Sequence, residues 1–117
     1  MPKRGEGGII VVDLGREEGV LRIDLKGGST VRGAAFPPGD IVLIELQAGF
    51  ELTAENPDEL ASWDDFVGLV LKGEITFTVG GAGRTVGENT AFWVDPPDGV
   101  SSSGATIVGT RARTPGG

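Results

Sequence analysis

Apolar residues recur along this chain in short blocks of alternate positions, separated by glycine- and proline-rich turns. That rhythm predicts β-strands rather than helices. Ile9–Leu14 (IIVVDL) reads as the first strand, and Gly15–Gly19 (GREEG) turns it into Val20–Leu25 (VLRIDL). There Leu21, Ile23 and Leu25 share one face and Arg22 and Asp24 the other, the pattern of a half-buried strand. Lys26–Gly28 turns again, and Thr30–Phe36 is a weaker strand. Pro37–Asp40 (PPGD) is a strong turn, because proline presets φ and glycine accepts positive φ. Gln47–Phe50 turns into Glu51–Thr53. An irregular acidic insert, Ala54–Asp65, follows, in which Asn56-Pro57 before Asp58-Glu59 predicts one helical turn. Phe66–Leu71 is an apolar strand, and Ile75–Val79 (ITFTV) alternates cleanly. Gly80–Arg84 is a hairpin loop, and Thr85–Val86, Thr90–Val94 and Ala105–Ala112 complete the set.

Ile41–Leu46 (IVLIEL) departs from simple alternation. Ile41, Leu43 and Glu45 lie on one face, and Val42, Ile44 and Leu46 on the other. A strand apolar on both faces must be covered on both sides. In a small barrel one cover is the interior, so the other calls for a second layer or a partner subunit. This points to a homodimer. About nine to eleven short strands without a long helix give an all-β barrel or sandwich.

Composition narrows the function classes. The 117 residues suit one domain, 1–117, with flexible ends expected at 1–8 and 114–117. The 17 acidic and 10 basic residues give a net charge of −7, which works against nucleic acid or an anionic membrane as partner. No apolar run approaches a membrane span, and the basic start MPKRGEGG lacks a signal-peptide core, so a cytoplasmic protein is the expectation. The chain has no cysteine, histidine or tyrosine. Thiol chemistry and histidine-dependent hydrolysis are thereby excluded, and acid–base work falls to Asp, Glu or Lys. Gly80–Arg84 (GGAGR) sits in a hairpin rather than between a strand and a helix, so it is not a phosphate loop.

The stretch from Trp63 to Ser102 resembles the double motif of the cupin family, small antiparallel jelly-roll barrels. The resemblance lies in VLKGE at Val70–Glu74, the lone Gly87, and PPDG at Pro96–Gly99, with Gly49 similar to the opening glycine of the first motif. It implies a single-domain cupin-type jelly-roll β-barrel. Cupins hold a metal on three histidines and a glutamate. Here the glutamate position falls on Phe66 and the last histidine position on Ser102. The other two fall near Leu60 and Ser62, or at Glu59 and Ala61. A phenyl ring cannot bind a metal and a serine hydroxyl is a poor ligand for Zn, Fe or Mn. The resemblance therefore implies the framework without metal or other cofactor.

Several residues remain as candidates. Glu45 ends the face Ile41-x-Leu43-x-Glu45. Pointing inward it would suit a general base near neutral pH; pointing outward it reaches solvent or an arginine. In a cupin-like barrel Asp65 would lie at the mouth, as a second catalytic carboxylate. With Glu55, Asp58, Glu59 and Asp64 it forms an acidic rim, which reads either as a site for a hard cation or as a solvated loop. Trp63 and Trp93 would approach the same mouth and, with Phe66 and Ser102, line a pocket for a small organic ligand, or else pack as core. Two functions follow: a metal-independent enzyme such as an isomerase, cyclase or lyase with a carboxylate base, or a non-catalytic ligand-binding or structural dimer.

Overall fold

The computed structural model describes residues 10–15 and 20–112. The expected flexible ends at 1–8 and 114–117, and most of the Gly15–Gly19 turn, lie outside them. The described residues form eight strands, all paired antiparallel in one sheet, and one short helix. In chain order they are β1 (Leu21–Asp24), β2 (Thr30–Phe36), β3 (Gly39–Leu46), β4 (Phe50–Leu52), α1 (Pro57–Ala61), β5 (Phe66–Val79), β6 (Ala82–Val86), β7 (Ala91–Val94) and β8 (Gly99–Ala112). The hydrogen-bonded path runs β1-β2-β3-β8-β5-β6, with β4 on β8 and β7 on β5. It does not close, so the architecture is an open cupin-type sheet where a closed barrel was expected.

The expected nine to eleven short strands become eight for two physical reasons. First, the described part of the expected strand Ile9–Leu14, residues 10–14, does not form a strand. A strand needs a neighbour for its backbone groups; Ile10 makes a single bridge, 11–13 are irregular, and Val11 is exposed. Second, two apparent breaks are bulges inside long strands. The VLKGE stretch does not turn. β5 runs through it for 14 residues against the equally long β8, with register shifts between Val70 and Lys72 and between Glu74 and Ile75. Each bulge adds one unpaired residue, which switches the inward parity. Phe66, Gly68 and Val70 face inward before it, and Ile75 and Phe77 after it. In β8 the switch separates Val100 and Ser102 from Ala105, Ile107 and Gly109. A broken alternation in sequence is therefore a continuous strand that changes parity.

The two bulges meet at a close backbone crossing. Gly73 has φ +77°, and a Cβ there would overlap the Gly104 carbonyl. Only glycine fits such an approach. Beyond this corner β5 and β8 change partners. Their outer halves pair β7 and β3; their other halves pair β6 and β4. Side chains from both halves make one core: Ile44, Leu46, Val70 and Ile107 from one, Phe50, Leu52, Ile75, Phe77 and Val100 from the other.

The turns follow their sequence. Pro37-Pro38 links β2 to β3, where Phe36 pairs Gly39. Gly80 and Gly81, both at positive φ, make the tight β5–β6 hairpin in which Val79 pairs Ala82. The expected helical turn is α1, with Pro57 in its first turn. Asn56 does not cap it with its side chain; Oδ1 instead accepts from the Thr53 amide at 3.1 Å. β1 is not half-buried as its alternation suggested. It is the sheet edge among the described residues, where no further strand covers Leu21 and Ile23, and both are exposed.

Candidate functional site

The inner face of the sheet is occupied by aromatic rings. One inward row runs Leu21, Gly33, Val42, Gly109, Gly68 and Phe92 across six strands. Its glycines clear a floor for neighbouring rings. A Cβ on Gly109 would overlap Phe66 Cζ, and one on Gly68 would lie 2.7 Å from Phe92 Cζ. Phe66, at the cupin glutamate position, thus lies over the backbone of β8, buried to 4% exposure. Trp63, just after α1, is equally buried and bridges the two halves of the sheet. Its ring meets Phe66 at 5.5 Å and Phe77 at 5.4 Å, both edge-on. Phe92 closes the cluster at 6.0 Å from Phe66 and 5.1 Å from Phe77. Such edge and tilted pairs each add about 0.5–1.5 kcal/mol beyond their burial.

Ser102, at the last histidine position, is buried and bound to backbone. Its hydroxyl donates to the Glu74 carbonyl at 2.7 Å and accepts from the Gly104 amide at 3.0 Å. It pins the β5–β8 bulge. Serine here satisfies two groups that the bulge takes out of the ladder.

The remaining candidates lie outside this interior. Glu45 is on the outer face of β3, half-exposed, 4.0 Å from the Arg32 guanidinium. It borders an open depression of ≈ 240 Å³ with Gln47, Lys72, Gly73 and Thr106. Asp65 sits where the chain enters β5, with φ +52°, a backbone conformation that Asp tolerates better than most residues. Its Oδ1 accepts a 2.8 Å hydrogen bond from the Trp93 indole N–H. Trp93 is exposed on the outer face. The structure therefore brings Trp63 and Phe66 together, brings Asp65 and Trp93 together, and leaves the two pairs on opposite faces of β5. Among the described residues, no three carboxylates of the acidic insert or elsewhere gather as an ion would require.

Sequence reasoning missed Phe92 as a partner of Phe66, Phe77 as a partner of Trp63 and Phe92, and Gly109 and Gly68 as the seats of Phe66 and Phe92. The signal was present: an isolated glycine inside an apolar strand marks a close approach by another group.

Solved structures share this architecture. The EutQ protein of Clostridium difficile matches at TM-score 0.56 and 15% identity, covering 96% of this chain and 94% of that one. A cupin 2 conserved barrel domain protein of Salinispora arenicola matches at TM-score 0.58 and 10% identity, over 80% of this chain and 82% of that one. An RmlC-like cupin of Shewanella frigidimarina matches at TM-score 0.56 and 19% identity, over 85% and 88%. No family model and no curated protein matches the sequence. At these identities the likeness is one of fold. The chain is a small cupin-like protein without a histidine. No helix among the described residues is long and apolar enough to cross a membrane.

Proposed function

We propose that this chain is a non-catalytic cupin-fold module, with a filled interior and a working surface on the outside of the sheet. The observation that carries this reading is the aromatic cluster of Trp63, Phe66, Phe77 and Phe92, in which Phe66 and Phe92 sit over Gly109 and Gly68. Rings that interlock over glycines bury surface as a core does. Ser102, the polar group at the same level, has both its hydrogen bonds committed to backbone. Glu45 and Asp65 face away from the rings.

The test uses the two tryptophans separately. A Trp93→Phe variant leaves Trp63 as the only indole. Titration with benzene should leave its emission and the melting temperature unchanged. Phe66→Ala in that background opens an apolar cavity, and benzene should then bind and raise the melting temperature. An organic ligand that shifts Trp63 emission with Phe66 in place would overturn the reading.

A second reading is favoured by the depression at Glu45. It is smaller than the roughly 300–1,000 Å³ of most ligand pockets, but Glu45 and Lys72, of opposite charge, both line it. A small polar organic molecule would bind there through both charges. An isomerase, cyclase or lyase reaction at that place would use Glu45 as its base. Full turnover by Glu45→Gln on an identified substrate would remove the catalytic form of this reading.

A further inference from the structure

Where β5 crosses β8 the outer face of the sheet carries a polar row. Thr30, Glu45, Thr106 and Lys72 stand side by side on β2, β3, β8 and β5. The last three line the depression of ≈ 240 Å³. Its floor follows from the crossing itself. Gly73 must lack a side chain, because a Cβ there would overlap the Gly104 carbonyl. Gly104, at φ +121°, favours glycine for its backbone conformation, and a Cβ on it would find the Leu46 carbonyl oxygen no nearer than 3.9 Å. The bulge therefore leaves open space between two charged strands. Lys72 is exposed, and its ammonium has no hydrogen bond or ion pair among the described residues.

We propose that this depression binds a short amino acid whose amino group is set several carbons from its carboxyl group, with the carboxylate on Lys72 and the ammonium on Glu45. The inference rests on the second reading above and names the ligand class of that site.

Charge selects a zwitterion over a singly charged ligand. Glu88 places an oxygen 3.3 Å from the Gly73 amide, so a bare anion at Lys72 would have the carboxylates of Glu88 and Glu45 for neighbours. A bare cation at Glu45 would have the Arg32 guanidinium, 4.0 Å from that carboxylate. A ligand carrying both charges, in the right order, places each one on its opposite and offsets the like charge behind it.

Spacing selects the separation of those charges. Glu45 and Lys72 flank Thr106, so their Cα atoms are two strand spacings, about 10 Å, apart. Side chains on a strand stand roughly perpendicular to the sheet. A charge-assisted hydrogen bond of about 2.8 Å at each end then leaves about 4–5 Å between the ligand's ammonium and carboxylate. An extended chain with about three carbons between the two groups spans this distance. An α-amino acid, whose two groups share a carbon, does not.

The experiment is a titration of the ¹⁵N-labelled full chain at low ionic strength, read from amide chemical shifts. 4-Aminobutanoate should move the Gly73, Gly104 and Thr106 amides, with a dissociation constant of about 1–10 mM for an open, two-contact site. Alanine, butanoate and 1-aminobutane should each bind about fivefold more weakly or worse. This series needs only the wild-type chain. Lys72→Met and Glu45→Gln should each weaken 4-aminobutanoate binding about tenfold, with far-UV circular dichroism unchanged. Arg84→Gln, at an exposed position on β6 outside the row, should leave it as it is. Alanine binding as tightly, at the same amides and with the same loss in both variants, would overturn the spacing and with it this ligand class, while the two-charge reading of the depression would stand. Silence of all four probes, shifts confined to other amides, or binding that neither variant weakens would overturn both.

Discussion

Gly109→Ala adds one methyl group at the centre of β8 and should destabilise the protein. In an ordinary strand the change would be favourable by about 0.4–1 kcal/mol, because alanine has less freedom to lose on folding. Here the new Cβ would overlap Phe66 Cζ and stand 2.7 Å from both Phe66 Cε1 and the Val67 carbonyl oxygen. The ring can tilt, but it is held by Trp63 and Phe92. The carbonyl belongs to a strand fixed by its ladder, where Val67 pairs Thr110 and Gly68 pairs Gly109. Overpacking of this kind costs about 1–3 kcal/mol, more than the entropic gain. The net effect should lower the urea midpoint without changing the slope, and lower the melting temperature by roughly 4–10 °C. Phe66→Leu removes the ring end that collides. In that background Gly109→Ala should cost distinctly less, with a coupling of about 0.5–3 kcal/mol between the two sites. Equilibrium urea unfolding followed by circular dichroism measures all four proteins. A Gly109→Ala protein as stable as wild type, or a cost identical in both backgrounds, would refute the seating of Phe66 on Gly109.

Three further outcomes are expected. Ser102→Ala leaves the Glu74 carbonyl and the Gly104 amide without their side-chain partner, and should cost about 1–3 kcal/mol in urea unfolding; an unchanged midpoint would mean that the bulge does not depend on it. Gly73→Ala combines φ +77° with a Cβ 2.8 Å from the Gly104 carbonyl carbon, so it should cost about 2–4 kcal/mol or prevent folding, as soluble yield and calorimetry will register. Dialysis against a strong chelator should leave the melting temperature unchanged, since Phe66 and Ser102 stand where cupin ligands would; a drop of several degrees reversed by a divalent metal would contradict that.

The elements nearest the local code were legible in advance. Pro37-Pro38, Gly80-Gly81 and Pro57 act through backbone preferences that need no distant partner, although the expected loop Gly80–Arg84 narrows to Gly80-Gly81 because 82–84 pair in β6, and Asn56 does not cap α1. Alternation in Ile75–Phe77 and the two-faced pattern of Ile41–Leu46 also carried over, because side-chain direction in a strand has a fixed period, whereas Val79, expected inward, is exposed beside the hairpin turn. What misled the reading at VLKGE was a change of parity. From sequence, a bulge and a turn both interrupt alternation; only the pairing of β5 with β8 distinguishes them. Likewise Ile9–Leu14 has strand composition, but a strand exists only where a neighbour offers hydrogen bonds.

The candidate site divides in the same way. Sequence by itself determined which chemistry is absent: no imidazole, no thiol, and a phenyl ring and a hydroxyl at the positions resembling a metal centre. It also carried the cupin-like framework in its glycines. Tertiary structure alone decided that Trp63 is core while Trp93 is surface, that Glu45 looks outward towards Arg32, and that Ser102 serves the backbone. Those outcomes depend on which face of β5 meets β7 and β8 and on the bulge that resets it. Such contacts join residues 21 to 43 positions apart, a range over which no local pattern in the chain carries information.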